Sequence, residues 1–143
     1  MPLRSFLATP PRRRTILLVE DEPFVREATA SILRSVGFVV LPADGAREAT
    51  QAFDACLAKI DLMMTDIVLR GQSGCDLGHD LQQRSPQLVV LLTSGYSHLG
   101  YESEAPASQT YFLPKPYSKK VLIAKIERIL EPPPLARAAS LAG

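Results

Sequence analysis

The segment TILLVE at 15–20 is a short apolar run that turns acidic at its end, and LVVLL at 88–92 is the most strand-like run in the chain. A strand with one wet face alternates polar and apolar residues, whereas a strand that is apolar throughout has both faces covered. Helical patterns lie between these runs. Pro23 stands where a first helical turn tolerates it, an apolar stripe of Phe24, Ala28, Ile32 and Val36 follows at helical spacing, and Gly37 stops the helix. Residues 38–41 read as a second strand, Asp44-Gly45 as a turn, and 46–57 as a helix with Ala49, Ala52 and Phe53 on its inner side. The third strand covers 60–65 and ends at Asp66. A polar loop, RGQSG at 70–74, leads to a helix that runs to about Arg84, before the break at Pro86. A short strand at 111–113 precedes a last helix, capped by Ser118, in which Leu122, Ile126 and Ile129 share a face.

Strands that alternate with helices form a parallel sheet, because parallel neighbours need crossover connections that cover both faces. Five strands in this rhythm predict an α/β, flavodoxin-like, doubly wound five-stranded parallel sheet of order 2-1-3-4-5, with helices on both faces. In such a sheet the ligand crevice lies at the carboxyl ends of the strands.

A chain of 143 residues is the size of one domain and buries enough apolar surface to fold without disulfide or metal staples. Residues 1–14 are expected to form a basic flexible leader, where Arg4, Arg12, Arg13 and Arg14 stand without an acid. Residues 15–131 form the folded domain, with 11 basic against 15 acidic side chains, and 132–143 an Ala-rich flexible tail. The net charge of +1 gives no electrostatic footprint for nucleic acid. The leader lacks a secretion signal, and no apolar run approaches bilayer length, so a cytoplasmic protein without membrane insertion is expected. Cys56 and Cys75, both in helical patterns, lack metal-ligand spacing and read as small buried thiols in a reducing compartment. His79 and His98 read as ordinary surface or helix residues. Met1 and the loose tails read as a complete product.

Four strand ends carry polar residues foreign to a buried sheet: Glu20-Asp21-Glu22, Asp66, Thr93-Ser94 and Lys115-Pro116. Parallel strands place these ends on one rim. Clustered carboxylates repel one another, so such a rim favours a bound cation. Hard oxygen ligands with an open side suit Mg2+, which shares its shell with phosphate. Lys115 supplies a point charge for a phosphoryl oxygen, and Ser94 a hydrogen bond for another. An aspartate in this setting can attack phosphorus and form an acyl phosphate, so the expected chemistry is phosphoryl transfer.

The segments ILLVEDEP, LMMTDIVLRGQSG, VVLLTSGY and FLPKPY, in that order and spacing, resemble the response-regulator receiver family from about residue 15 to 130. The resemblance implies that Asp66 is the phosphoacceptor, served by a sensor histidine kinase or a phosphotransfer protein. It implies that Asp21 binds Mg2+ directly, Glu20 through water, and the Val68 carbonyl completes the protein ligands. Ser94 would be the hydroxyl switch, Phe112 the aromatic residue that follows it, and Lys115 the partner of the phosphoryl oxygens, with a cis Lys115–Pro116 bond. Val68 and Tyr96 would shield the acyl phosphate from water. The wording LRGQSG and LLTSGY resembles receivers attached to hybrid sensor kinases.

The sequence also departs from the family's pattern. Glu20 stands where Asp is commoner, Gly95 where Ala is common, and Arg70 replaces a frequent proline in the loop after the phosphoacceptor. Between residues 97 and 110, Gly100 and Pro106 interrupt the expected fourth helix, which is therefore predicted to be short or distorted. The function expected from the whole is a single-domain response regulator, with output through protein contact, including a phosphorylation-dependent homodimer, or through draining phosphate from a kinase. It would be no enzyme beyond its own phosphorylation and dephosphorylation. The alternatives are a phosphorylation-independent interaction module and a small phosphatase with an Asp nucleophile. For the phosphatase, Val68, two residues after Asp66, offers no general acid.

Overall fold

The computed structural model describes residues 13–56, 59–95 and 108–131. In chain order these form β1 (Thr15–Val19), α1 (Pro23–Ser35), β2 (Val39–Ala43), α2 (Ala46–Cys56), β3 (Leu62–Asp66), α3 (Gly74–Arg84), β4 (Val89–Ser94), β5 (Thr110–Pro114) and α4 (Lys119–Leu130). The strands make one parallel sheet of order β2-β1-β3-β4-β5, as the alternation of elements requires. The distorted helix expected at 97–110 falls on residues that, up to 107, lie outside the described ones, as do most of the leader, Tyr96, His98 and the tail.

The uninterrupted apolar runs are explained by two separate core layers. Leu17, Val19, Met63, Val90 and Leu92 point to one face of the sheet and meet Ala49 and Phe53 of α2 and Leu77 and Leu81 of α3. Their neighbours Ile16, Leu18, Leu62, Met64, Val89 and Leu91 point to the other face. There they meet Ala30 and Leu33 of α1 and Leu122, Ile126 and Ile129 of α4. The period of two residues thus sends alternate side chains into different layers, both dry. Pro42, which lacks a backbone donor, is tolerated in β2 because that strand is the sheet's edge.

The apolar stripe read on α1 is not its buried face. Phe24 is 85% exposed, and the buried positions are Thr29, Ala30 and Leu33. The helix is turned because polar side chains on its inner face have partners: the Arg26 guanidinium donates to the Glu20 carbonyl oxygen at 2.7 Å. Ser118 and Ser73 cap α4 and α3, accepting from the N–H groups of Val121 and Asp76.

The amino-terminal rim of the sheet is tied by Asp61. Its carboxylate accepts from the Thr15 N–H at 2.7 Å, and its backbone bonds both Thr15 and Val89. Arg14, assigned to the leader from sequence, belongs to this rim: its carbonyl accepts from the Val39 N–H, and its side chain lies 3.7 Å from Asp61. Arg14 and Glu131, near the two ends of the described domain, line one cavity of about 490 Å³ beside Val36 and Phe38.

Gly74 opens α3 under the end of β3. Its N–H donates to the Ile67 carbonyl oxygen at 2.8 Å, and an added Cβ would run into the Asp66 carbonyl oxygen. Gly74→Ala is therefore expected to cost about 2–3 kcal/mol of stability, read as a lower urea midpoint. An unchanged midpoint would show that the loop beneath Asp66 gives way freely.

Candidate functional site

Backbone bonds bring the strand ends to one level. The Ile67 N–H donates to the Thr93 carbonyl at 2.9 Å, the Lys115 N–H to the Ser94 carbonyl at 2.8 Å, and the Glu20 N–H to the Ala43 carbonyl at 3.0 Å. In register, Asp66 stands opposite Thr93, and Ser94 opposite Pro114. Asp66, Ser94 and Lys115 thus come from adjacent strands, and Glu20 and Asp21 follow β1 on the other side of β3.

Side chains then converge on Lys115. Its Nζ donates to Asp66 Oδ2 at 2.9 Å and lies 3.4 Å from Glu20 Oε1. The other oxygen of each carboxylate is held by backbone: Asp66 Oδ1 accepts from the Val68 N–H at 3.1 Å, and Glu20 Oε2 from the Glu22 N–H at 3.1 Å. Each acid therefore has one oxygen anchored by the main chain and one turned to the ammonium group. The Lys115–Pro116 bond is cis.

Burial pushes the Glu20 carboxyl above its ordinary value, against the Glu22 N–H and the Lys115 charge; Asp66 and Asp21 push it further up. Burial pulls the Lys115 ammonium down, but the hydrogen bond and charge of Asp66 and the charge of Glu20 prevail and hold it above the ordinary lysine value. Burial also raises the Tyr117 phenol, which Lys115 and the Thr29 hydroxyl oppose.

Asp21 is half-buried: its side chain is hydrogen-bonded to Glu20, and its Oδ2 lies 3.8 Å from Nε of the exposed Arg70. Among the described residues no three His, Cys, Asp or Glu side chains are already arranged to hold a metal ion. The donor set nonetheless suits Mg2+. Glu20, Asp21 and Asp66 are hard oxygen donors, and among the described residues their three carboxyl groups meet partly buried Lys115 and, at the surface, Arg70.

Ser94 is buried at the end of β4, Phe112 is buried opposite Leu92 on β5, and the Val68 side chain is exposed beside Asp66. Phe112 also borders a cavity of about 270 Å³ with Cys75, His79 and Gln82. Cys56 and Cys75 are half-buried, and no described helix is long and apolar enough to cross a membrane. Sequence reasoning missed the contacts of Arg26 and Arg70 and the group formed by Tyr117 and Thr29 behind Lys115. Only Arg70 left a signal, as a charged residue where proline is frequent.

The fold and site together define the class: a doubly wound α/β domain whose strand ends gather acids around one lysine. The chain belongs to the response regulator receiver domain family, whose profile matches residues 16–127. It is similar to the sensor kinase CckA of Brucella abortus, 32% identical over 118 residues that make up 82% of this chain and 12% of that protein. It is also similar to the sensory transduction protein RegX3 of Mycobacterium tuberculosis, 31% identical over 81% of this chain and 50% of that protein. The crystal structure of the receiver domain from the hybrid histidine kinase CckA superposes with a TM-score of 0.71 at 31% identity, covering 82% of this chain and 99% of that one. The chain therefore spans about an eighth of the one relative and half of the other. It is a receiver domain of two-component signalling.

Because the folded state binds a proton at Glu20 more tightly than the unfolded chain, this contribution to stability is complete below the ordinary value of 4.5. It is lost as pH rises through the elevated folded-state value. Without divalent cations, Glu20→Gln should therefore exceed wild type in thermal midpoint near neutral pH, with the gap closing as the acid range is reached. A gap that stays constant with pH would refute this origin.

Proposed function

We propose that this receiver accepts a phosphoryl group on Asp66 from the phosphohistidine of a sensor kinase or phosphotransfer protein, in a Mg2+-dependent reaction. The observation that carries the reading is Lys115 Nζ, 2.9 Å from Asp66 Oδ2 at the end of the central strand, with the Ser94 hydroxyl on the next strand. An Asp66 carboxylate oxygen forms a bond to phosphorus as the bond from phosphorus to the donor nitrogen breaks, and the departing imidazole keeps the electron pair. Lys115, already beside the attacked carboxylate, follows the added charge and pairs with a phosphoryl oxygen. Ser94 donates to another.

Asp21, Glu20, Asp66 and the Val68 carbonyl would hold Mg2+, whose charge neutralises the phosphoryl oxygens. The backbone bonds at Glu20 and Asp66 limit the carboxylates' freedom, so little reorganisation accompanies the transfer. Hydrolysis of the acyl phosphate resets the domain, and these two reactions on itself are its only catalysis. Lys115 and Ser94, drawn to the new charge, shift β4 and β5 between two states, and a second protein reads them. Alternatively the domain acts by draining phosphoryl groups from its kinase. Action beside a kinase would put the domain in the cytoplasm, a setting that suits two half-buried cysteines.

Intact mass after incubation with acetyl phosphate tests the reading. Wild type with Mg2+ should gain about one phosphoryl group per chain, Asp66→Asn none, and Lys115→Ala should gain it about 100-fold more slowly. No gain in wild type with or without Mg2+ would leave a phosphorylation-independent interaction module as the better reading. An undiminished gain in Asp66→Asn would move the acceptor elsewhere.

A further inference from the structure

The residue that most separates this rim from a plain acid–lysine site is Arg70. Its backbone is pinned on both sides: Leu69 is buried in the core layer of α2 and α3, and Gly71 turns with φ +89°. Beyond that turn, Gln72 is tied to Asp80 of α3 at 2.9 Å. The Arg70 side chain is 88% exposed and free of packing, yet its Nε stands 3.8 Å from Asp21 Oδ2. Lys115 pairs with Glu20 and Asp66, whereas Asp21, whose side chain also bonds Glu20, forms its ion pair with Arg70. The two cations therefore divide the three carboxylates, Lys115 from within the rim and Arg70 from outside it.

We infer that Arg70 is a counter-ion gate on the divalent-cation site: it pairs with Asp21 in the metal-free domain and competes with Mg2+ for that carboxylate. The inference rests on the proposed role of Asp21 in holding Mg2+. A divalent ion bound at Asp21 would lie close to the guanidinium and repel it, so every binding event has to displace the arginine's charge. The side chain can move because it is largely exposed, while its backbone is held between buried Leu69 and the turn at Gly71. An exposed ion pair is weak, so the gate lowers cation affinity without closing the site. The aspartate remains occupied at low Mg2+, and phosphoryl acceptance is tuned to higher cation concentrations than the carboxylates alone would set.

The test is calorimetric titration of the unphosphorylated full chain with MgCl2. Arg70→Ala should bind Mg2+ about two- to tenfold more tightly than wild type at low salt, and Arg70→Lys should stay near wild type. The advantage of Arg70→Ala should shrink toward nothing near 1 M NaCl, which a change in loop structure would not produce. Equal or weaker binding by Arg70→Ala, or an advantage unaffected by salt, overturns the gate while leaving the phosphoacceptor reading intact. If wild type and both variants take up no Mg2+ at millimolar concentrations, the metal site and the gate fall together.

Discussion

Everything at the working edge depends on the Lys115 ammonium group, which stands between two carboxylates that the sheet forces into proximity. Parallel strands give Glu20 and Asp66 neighbouring exits, and burial of Glu20 denies it the water that would otherwise screen the repulsion. One lysine on the far side of β4 satisfies both acids. The arrangement is short of positive charge, because Lys115 does not offset the burial of Glu20. Backbone donors from Val68 and Glu22 keep the acids from turning away.

Much of this was legible in the sequence, for reasons that differ by element. Continuous apolar runs announced strands with two dry faces, and the polar residues that ended those runs had to share a rim. Ala49, Ala52 and Phe53 marked the inner side of α2, because nothing polar competes for that face. The stripe on α1 misled, since Arg26 and Thr29 have partners at the rim and turn the helix away from the face that hydrophobicity alone selects. Strand ends were blurred for a similar reason. Pro42 and Ala43 belong to β2 because an edge strand tolerates a missing donor, a fact that emerges only once strand order is known.

The candidate site shows the same division. Residue types and spacing pointed to Asp66, Ser94, Lys115 and the acids after β1, and the fold gathers them on one rim. Which oxygen faces which partner was beyond the sequence, because it follows from the register of three strands. The division of charge between Lys115 and Arg70 was hidden too, since an arginine in a loop carries no mark of where its side chain reaches. Departure from the proline frequent at position 70 was the one visible clue.

The placement of the domain's two ends carries a consequence for how such a unit is used. Strands run toward Asp66 and helices run back, so β1 begins and α4 finishes at the opposite rim, where Arg14 and Glu131 border the same hollow. Both points of attachment to any further polypeptide are thus adjacent and remote from the chemistry. A unit wired in this way can be inserted into a long sensor or set ahead of another module without its reactive edge being obstructed. It behaves like a plug whose two leads leave from the back.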